Sequence, residues 1–167
     1  MLYVYFISMK KFNNYIRTKP FPLSFLLLGS VLGCVYFVCW FIFYKILGGI
    51  DIVFTEIPTY EPTSITVILQ LLILGPLLET LLFQKGVYFL LRQSEWLINH
   101  KPYIVIIGGV FFGLLHFFSL AYIIVTMING FFFMYAYVIR YRKGGYWMVV
   151  LLHAFVNGLG LFLSYFE

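Results

Sequence analysis

Charge is what this sequence has least of. Only 10% of its 167 residues are Asp, Glu, Lys or Arg, and six are acidic. Ordinary soluble domains carry about 25% charged residues. A soluble fold of this size exposes much of its chain to water, and there are too few charges here to cover that surface. Cysteine is equally scarce: Cys34 and Cys39 are the only two. They lie five apart on one apolar run, poorly placed to join, so a disulfide-stapled scaffold is excluded and they read as small packing residues. The period-2 alternation of a barrel strand is missing as well. What fills the chain instead is apolar: 63% of it is hydrophobic, with 20 Phe and 14 Tyr. That excess needs an apolar solvent, and the bilayer is one.

In hydrocarbon every backbone N–H and C=O must be paired inside its own segment, so the apolar runs read as helices. Five spans follow, at residues 23–47, 64–91, 103–118, 121–139 and 146–165. The third and fourth form one long apolar stretch, divided at a tight re-entry near Ser119 to Tyr122. The expected fold is all-α: a polytopic transmembrane helix bundle forming a single domain over residues 1–167. Its one substantial loop is 48–62, which holds Gly48-Gly49, Pro58 and Pro62.

Lys10, Lys11, Arg17 and Lys19 precede the first span, Arg92 and Lys101 flank the second connection, and Arg140, Arg142 and Lys143 fill the fourth. The loop after the first span carries Asp51, Glu56 and Glu61, with only Lys45 at its edge. By the positive-inside rule the N-terminus is cytoplasmic and the C-terminus outside. The formal charge of +5 is thus topological. Spread over three loops, it calls for membrane lipid as a partner and for no nucleic acid. A basic stretch before an apolar run also resembles a secretory leader, and Val31-Leu32-Gly33-Cys34 is near a lipoprotein cleavage pattern. The run continues through Tyr44 without a small-residue site, so a retained first span is expected; Met9 is an alternative start.

The membrane interior holds a few polar residues, and these carry the chemistry. A charge at the bilayer centre costs about 2.5–3.5 kcal/mol on insertion scales, so such a residue faces a partner or a cavity. Glu79 lies twelve residues from the cytoplasmic end of the second span, about 18 Å deep. His116 is thirteen residues into the third span, about 20 Å. His153 is seven residues into the fifth, and Asn157 follows one turn later on the same face. Singly, each reads equally as a hydrogen-bonding tie between helices. Together, rare polar groups from three helices at similar depth predict one shared site.

The motifs Pro-x-x-Glu at Pro76 to Glu79, Phe-x-x-x-His at Phe112 to His116 and His-x-x-x-Asn at His153 to Asn157 come in this order, each on its own span. In that order and setting the chain resembles the CPBP family of intramembrane endopeptidases, named for CAAX prenyl proteases and bacteriocin-processing enzymes. The resemblance covers residues 64–165 and leaves the first span unmatched. It implies a bacterial inner membrane as the setting and a membrane-associated peptide or protein as the substrate. It sets Glu79 on the first glutamate of the family's Glu-Glu-x-x-x-Arg motif, His116 on the second motif's histidine, and His153 and Asn157 on the third motif's pair.

The second glutamate of that first motif is Thr80 here and its arginine is Gln84. Both departures fall on one i, i+4 pair, so a neutral hydrogen bond is expected in place of an ion pair. By the resemblance Glu79 is the general base, and His116 and His153 either position the water directly or bind a divalent metal such as zinc. Asn157 holds the oxyanion or orients His153. No His-Glu-x-x-His helix is present. Other readings of the same residues are an inactive relative serving as a binding or immunity protein, a haem site on His116 and His153, and a proton carrier with Glu79 as the relay. Gly75-Pro76 is expected to loosen the second span, and Gly109 with Gly113 to let the third approach a neighbour.

Overall fold

A computed structural model of the chain describes residues 2–46 and 64–164. Among them run α1 (Leu2–Thr18), α2 (Phe21–Trp40, continued in π-helical form over Phe41–Ile46), α3 (Ile65–Leu91), α4 (Glu95–Asn99), α5 (Lys101–Leu114), α6 (Leu120–Arg140) and α7 (Gly145–Leu163). The expected loop at 48–62 lies outside the described residues. Four helices, α2, α3, α6 and α7, are long and apolar enough to cross a membrane. The result is a polytopic all-α bundle whose core gathers Leu28 of α2, Phe112 of α5, Phe133 and Met134 of α6 and Leu152 of α7. Cys34 and Cys39 are both free.

The expected third span is shorter than its hydropathy suggests. α5 has 14 residues, about 21 Å of helix against roughly 30 Å of hydrocarbon. The helix stops because its ladder gives way to local bonds. The His116 N–H turns back to Gly113 O and the Phe118 N–H to His116 O, at 3.0 and 2.9 Å. Ser119 then takes an extended conformation and its hydroxyl accepts the Tyr122 N–H, capping α6. The re-entry therefore occupies 115–119, ahead of the expected Ser119 to Tyr122. His116 sits in it, beyond the end of a helix.

α5 and α6 form an antiparallel hairpin closed by glycine. A Cβ on Gly113 would lie 2.7 Å from Met127 Cα, and one on Gly130 would lie 2.9 Å from Gly109 O. No side chain fits between these backbones, which is the close approach expected of Gly109 and Gly113.

The basic flank before the first span is itself a helix, α1, and Arg140 explains how it is held. Arg140 reads from sequence as a loop cation, yet it is 4% exposed. Its Nη1 donates to Ser24 Oγ at 2.6 Å, Ile16 O at 2.8 Å and Lys19 O at 3.2 Å, and its Nε donates to Lys143 O at 3.3 Å. The Ser24 hydroxyl donates in turn to Ile16 O. The carbonyls at the end of α1 are those a helix leaves unpaired, and a cation there also meets the negative end of the helix dipole. Arg140 thereby joins α1, the start of α2 and the end of α6, while Arg142 and Lys143 stay exposed.

Candidate active site

α3 winds unevenly, and the reason is in its sequence. Pro76 has no N–H to give the ladder, and the turn before it, Gln70–Leu74, is π-helical. A single α-helical turn, Gly75–Glu79, follows, and Thr80–Gly86 is π-helical again. This is the loosening expected of Gly75-Pro76. α7 runs antiparallel alongside and bonds α3 on both sides of the break: Asn157 Nδ2 donates to Leu71 O at 2.8 Å, and the Tyr146 hydroxyl donates to Leu77 O at 3.1 Å.

Glu79 ends the short α turn, and its side chain leans back toward the helix N-terminus. It meets both histidines there. Glu79 Oε2 lies 3.4 Å from His116 Nε2 and 3.7 Å from His153 Nε2. The three residues come from α3, the 115–119 turn and α7, so the structure brings together the groups that the spacing of the motifs singled out. These are charge-pair distances without the alignment of a directed hydrogen bond, and Glu79 Oε2 is buried with no hydrogen-bond partner among the described residues.

His116 is held by its other nitrogen, 2.7 Å from Phe112 O. A carbonyl only accepts, so Nδ1 carries a hydrogen and Nε2 faces the carboxylate. His153 is oriented differently. Its Nδ1 is buried without a partner, and the ring packs 4.9 Å from Phe133 and 5.7 Å, edge to face, from Phe112. Among the described residues Asn157 makes no hydrogen bond to His153; its Nδ2 donates to Leu71 O, 2.8 Å away.

Thr80 and Gln84 are both wholly buried. The neutral hydrogen bond expected between them is absent: Thr80 Oγ1, Gln84 Nε2 and Gln84 Oε1 all lack partners among the described residues. The i, i+4 stacking behind that expectation belongs to an α-helix, and both residues lie in the π-helical stretch Thr80–Gly86.

Beside the histidines opens a cavity of about 520 Å³. Tyr36 and Trp40 of α2, Asn129 of α6 and Asn157 help to line it along with His116 and His153. Glu79 reaches the imidazoles from the α3 side and is outside that lining. No Asp, Glu, Lys or Arg is among the described residues that line it. Asn129 is a functional candidate that the sequence reading missed. It is 6% exposed, and a carboxamide midway along an apolar span was the available signal.

The divalent metal expected on His116 and His153 does not suit this arrangement. Among the described residues no group of three His, Cys, Asp or Glu is placed to hold an ion.

Residues 61–159, more than half of the chain, match the family described as Type II CAAX prenyl endopeptidase Rce1-like. The chain belongs to this family. No curated protein and no solved structure matches it. The Rce1-like region takes in α3 to α6 and most of α7, and so includes Glu79, His116, His153 and Asn157. α1 and α2 precede it. The Rce1-like part does not make the cavity alone, because α2 supplies part of the wall.

Proposed function

We propose that the chain is an intramembrane endopeptidase that hydrolyses a peptide bond in a membrane-associated peptide or protein, with Glu79 activating the attacking water. The observation that carries this reading is the convergence of His116 Nε2 and His153 Nε2 on Glu79 Oε2 beside a cavity of about 520 Å³. Glu79 takes a proton from water, and the resulting hydroxide adds to the peptide carbonyl. His116, its Nδ1–H held by Phe112 O, turns Nε2 toward the reacting centre, and in the imidazolium form its Nε2–H donates to the tetrahedral oxyanion from one side. His153 closes the other side. Glu79 then returns the proton to the leaving amine as the C–N bond breaks.

The uncharged cavity wall favours an apolar, neutral segment of substrate, since a charge placed there would go unpaired. The family description adds prenylated CAAX proteins as candidate substrates, beside bacteriocin-type precursors and other membrane peptides.

A second reading rests on Thr80 and Gln84. Loss of the charged pair beside Glu79 fits a relative that keeps the fold and binds membrane peptides without cutting them. The two are separated by reconstituting purified protein in liposomes with a labelled, uncharged Leu/Ala-rich membrane peptide. The protease reading expects cleavage by the wild type and none by Glu79→Gln at unchanged thermal stability. Equal cleavage by both variants overturns the mechanism. Peptide binding without cleavage in the wild type establishes the inactive relative.

A further inference from the structure

We infer that Asn157 is a positioning residue whose side-chain amide replaces the backbone donor that Pro76 removes, holding the broken turn of α3 that presents Glu79. The inference rests on the proposed reading for its catalytic consequence and stands apart from it for its structural one.

Leu71 O is the key atom. In an α-helix it would accept the N–H of residue 75, and in a π-helix that of residue 76. Here the Gly75 N–H is committed to Gln70 O, and Pro76 has no N–H. Both regular donors are gone. A carbonyl inside a membrane bundle finds no water to replace them. Asn157 Nδ2 supplies the missing hydrogen from the neighbouring helix, at 2.8 Å.

Gly75 belongs to the same device. A Cβ there would stand 2.9 Å from Gln70 O, so the wide turn needs glycine at 75 as well as proline at 76. Tyr146 offers a contrast inside the same pair of helices. Its hydroxyl also donates to a carbonyl of α3, but that carbonyl, Leu77 O, already receives the Thr80 N–H. Leu71 depends on Asn157; Leu77 does not depend on Tyr146.

The link to the reacting groups is one of register. Asn157 and His153 are one turn apart on the same face of α7. Leu71 and Glu79 are about two turns apart on α3, with the Glu79 side chain leaning back toward the break. Fixing Asn157 on Leu71 therefore fixes how far α3 slides along α7, and so where Glu79 Oε2 stands against His153 Nε2.

The test is a double-mutant cycle on the full chain, using Asn157→Leu, Pro76→Ala and both together. It is read by thermal unfolding and by cleavage of the same Leu/Ala-rich peptide. Asn157→Leu is expected to lower kcat roughly 100-fold, as a displacement of about 1 Å at the reacting centre does, with KM nearly unchanged. It is also expected to lower Tm by about 2–6 °C. Pro76→Ala restores an N–H that Leu71 O accepts, so the double variant should regain at least about tenfold in kcat, the share that a restored position returns, and most of the lost Tm.

If the two substitutions are simply additive in both measurements, or if Asn157→Leu changes neither, the inference is overturned. Recovery of Tm without recovery of kcat overturns the positioning role. Should the wild type cut nothing, the protease reading fails alone, and the Tm cycle still decides whether Asn157 stands in for the backbone.

Discussion

Two ionisable side chains in this bundle, Arg140 buried and Glu79 half-buried with its Oε2 atom turned inward, are handled in opposite ways. Arg140 is surrounded by acceptors: Ile16 O, Lys19 O, Ser24 Oγ and Lys143 O all take its hydrogens. Around Glu79 on α3 and in the facing His153, polar atoms are left wanting. Glu79 Oε2, Thr80 Oγ1, both polar atoms of Gln84 and His153 Nδ1 are buried without a hydrogen bond among the described residues. A buried charge that is fully engaged can tie helices together and do little else. One held at 3.4 and 3.7 Å from two imidazoles, without directed bonds, keeps its lone pairs available for a reacting molecule. The contrast fits Arg140 to architecture and supports the chemical role proposed for Glu79.

The largest effect expected from breaking that contrast is on turnover. Glu79→Gln should lower cleavage by roughly 10²–10⁴-fold, the usual contribution of a general base, while leaving Tm in place. Next comes Thr80→Glu, which puts a second carboxylate into a fully buried position beside Glu79. An unpaired buried charge costs about 3–5 kcal/mol, so the variant should unfold at a much lower temperature. Adding Gln84→Arg should recover most of the loss by rebuilding the charged pair of the family motif. An undiminished Tm in Thr80→Glu alone would show that the site is wetter and more open than its packing indicates.

Arg140→Met should come third, and its signature is the reverse of that of Glu79→Gln. Removing the guanidinium takes the Arg140 hydrogens from Lys19 O and Ser24 Oγ, at about 1–3 kcal/mol for a buried group left unpaired, while Ile16 O keeps the Ser24 hydroxyl. Thermal unfolding should shift down, and cleavage per folded molecule should stay the same. A loss of turnover at full stability would mean that α1 communicates with the site, and the division between the two regions would fail.

The sequence disclosed these regions unequally. Glu79, His153 and Asn157 were legible because each interrupts an apolar helix at a spacing that helical geometry converts directly into a face. The shared site followed from three such interruptions at similar depth. His116 was legible as a site residue but misplaced as a helical one. The stretch from Leu114 to Phe118 contains neither glycine nor proline, and only Ser119 announces a new cap. Arg140 was illegible in its true role, because three of its four partners lie more than a hundred residues earlier and two of those are carbonyls, which leave no trace in composition. The π-helical winding at Thr80–Gly86 was hidden for a similar reason: the ladder register is a tertiary outcome, whereas Pro76 advertised the first break openly.

The smallest effect should come from Asn129, which tests whether the unsatisfied character of the site extends into the cavity. Its carboxamide can donate and accept at once, as a peptide group does, and it is buried on the cavity wall with no Asp, Glu, Lys or Arg among the lining residues described. Asn129→Leu keeps the volume and removes the polarity. If a substrate peptide unit pairs there, KM should rise about five- to tenfold, equivalent to roughly 1 kcal/mol for one neutral hydrogen bond, with kcat nearly constant. An unchanged KM would confine substrate recognition to apolar contact. A fall in kcat at constant KM would instead bring Asn129 into the reacting group with His153, and the boundary of the catalytic region would move from α7 to α6.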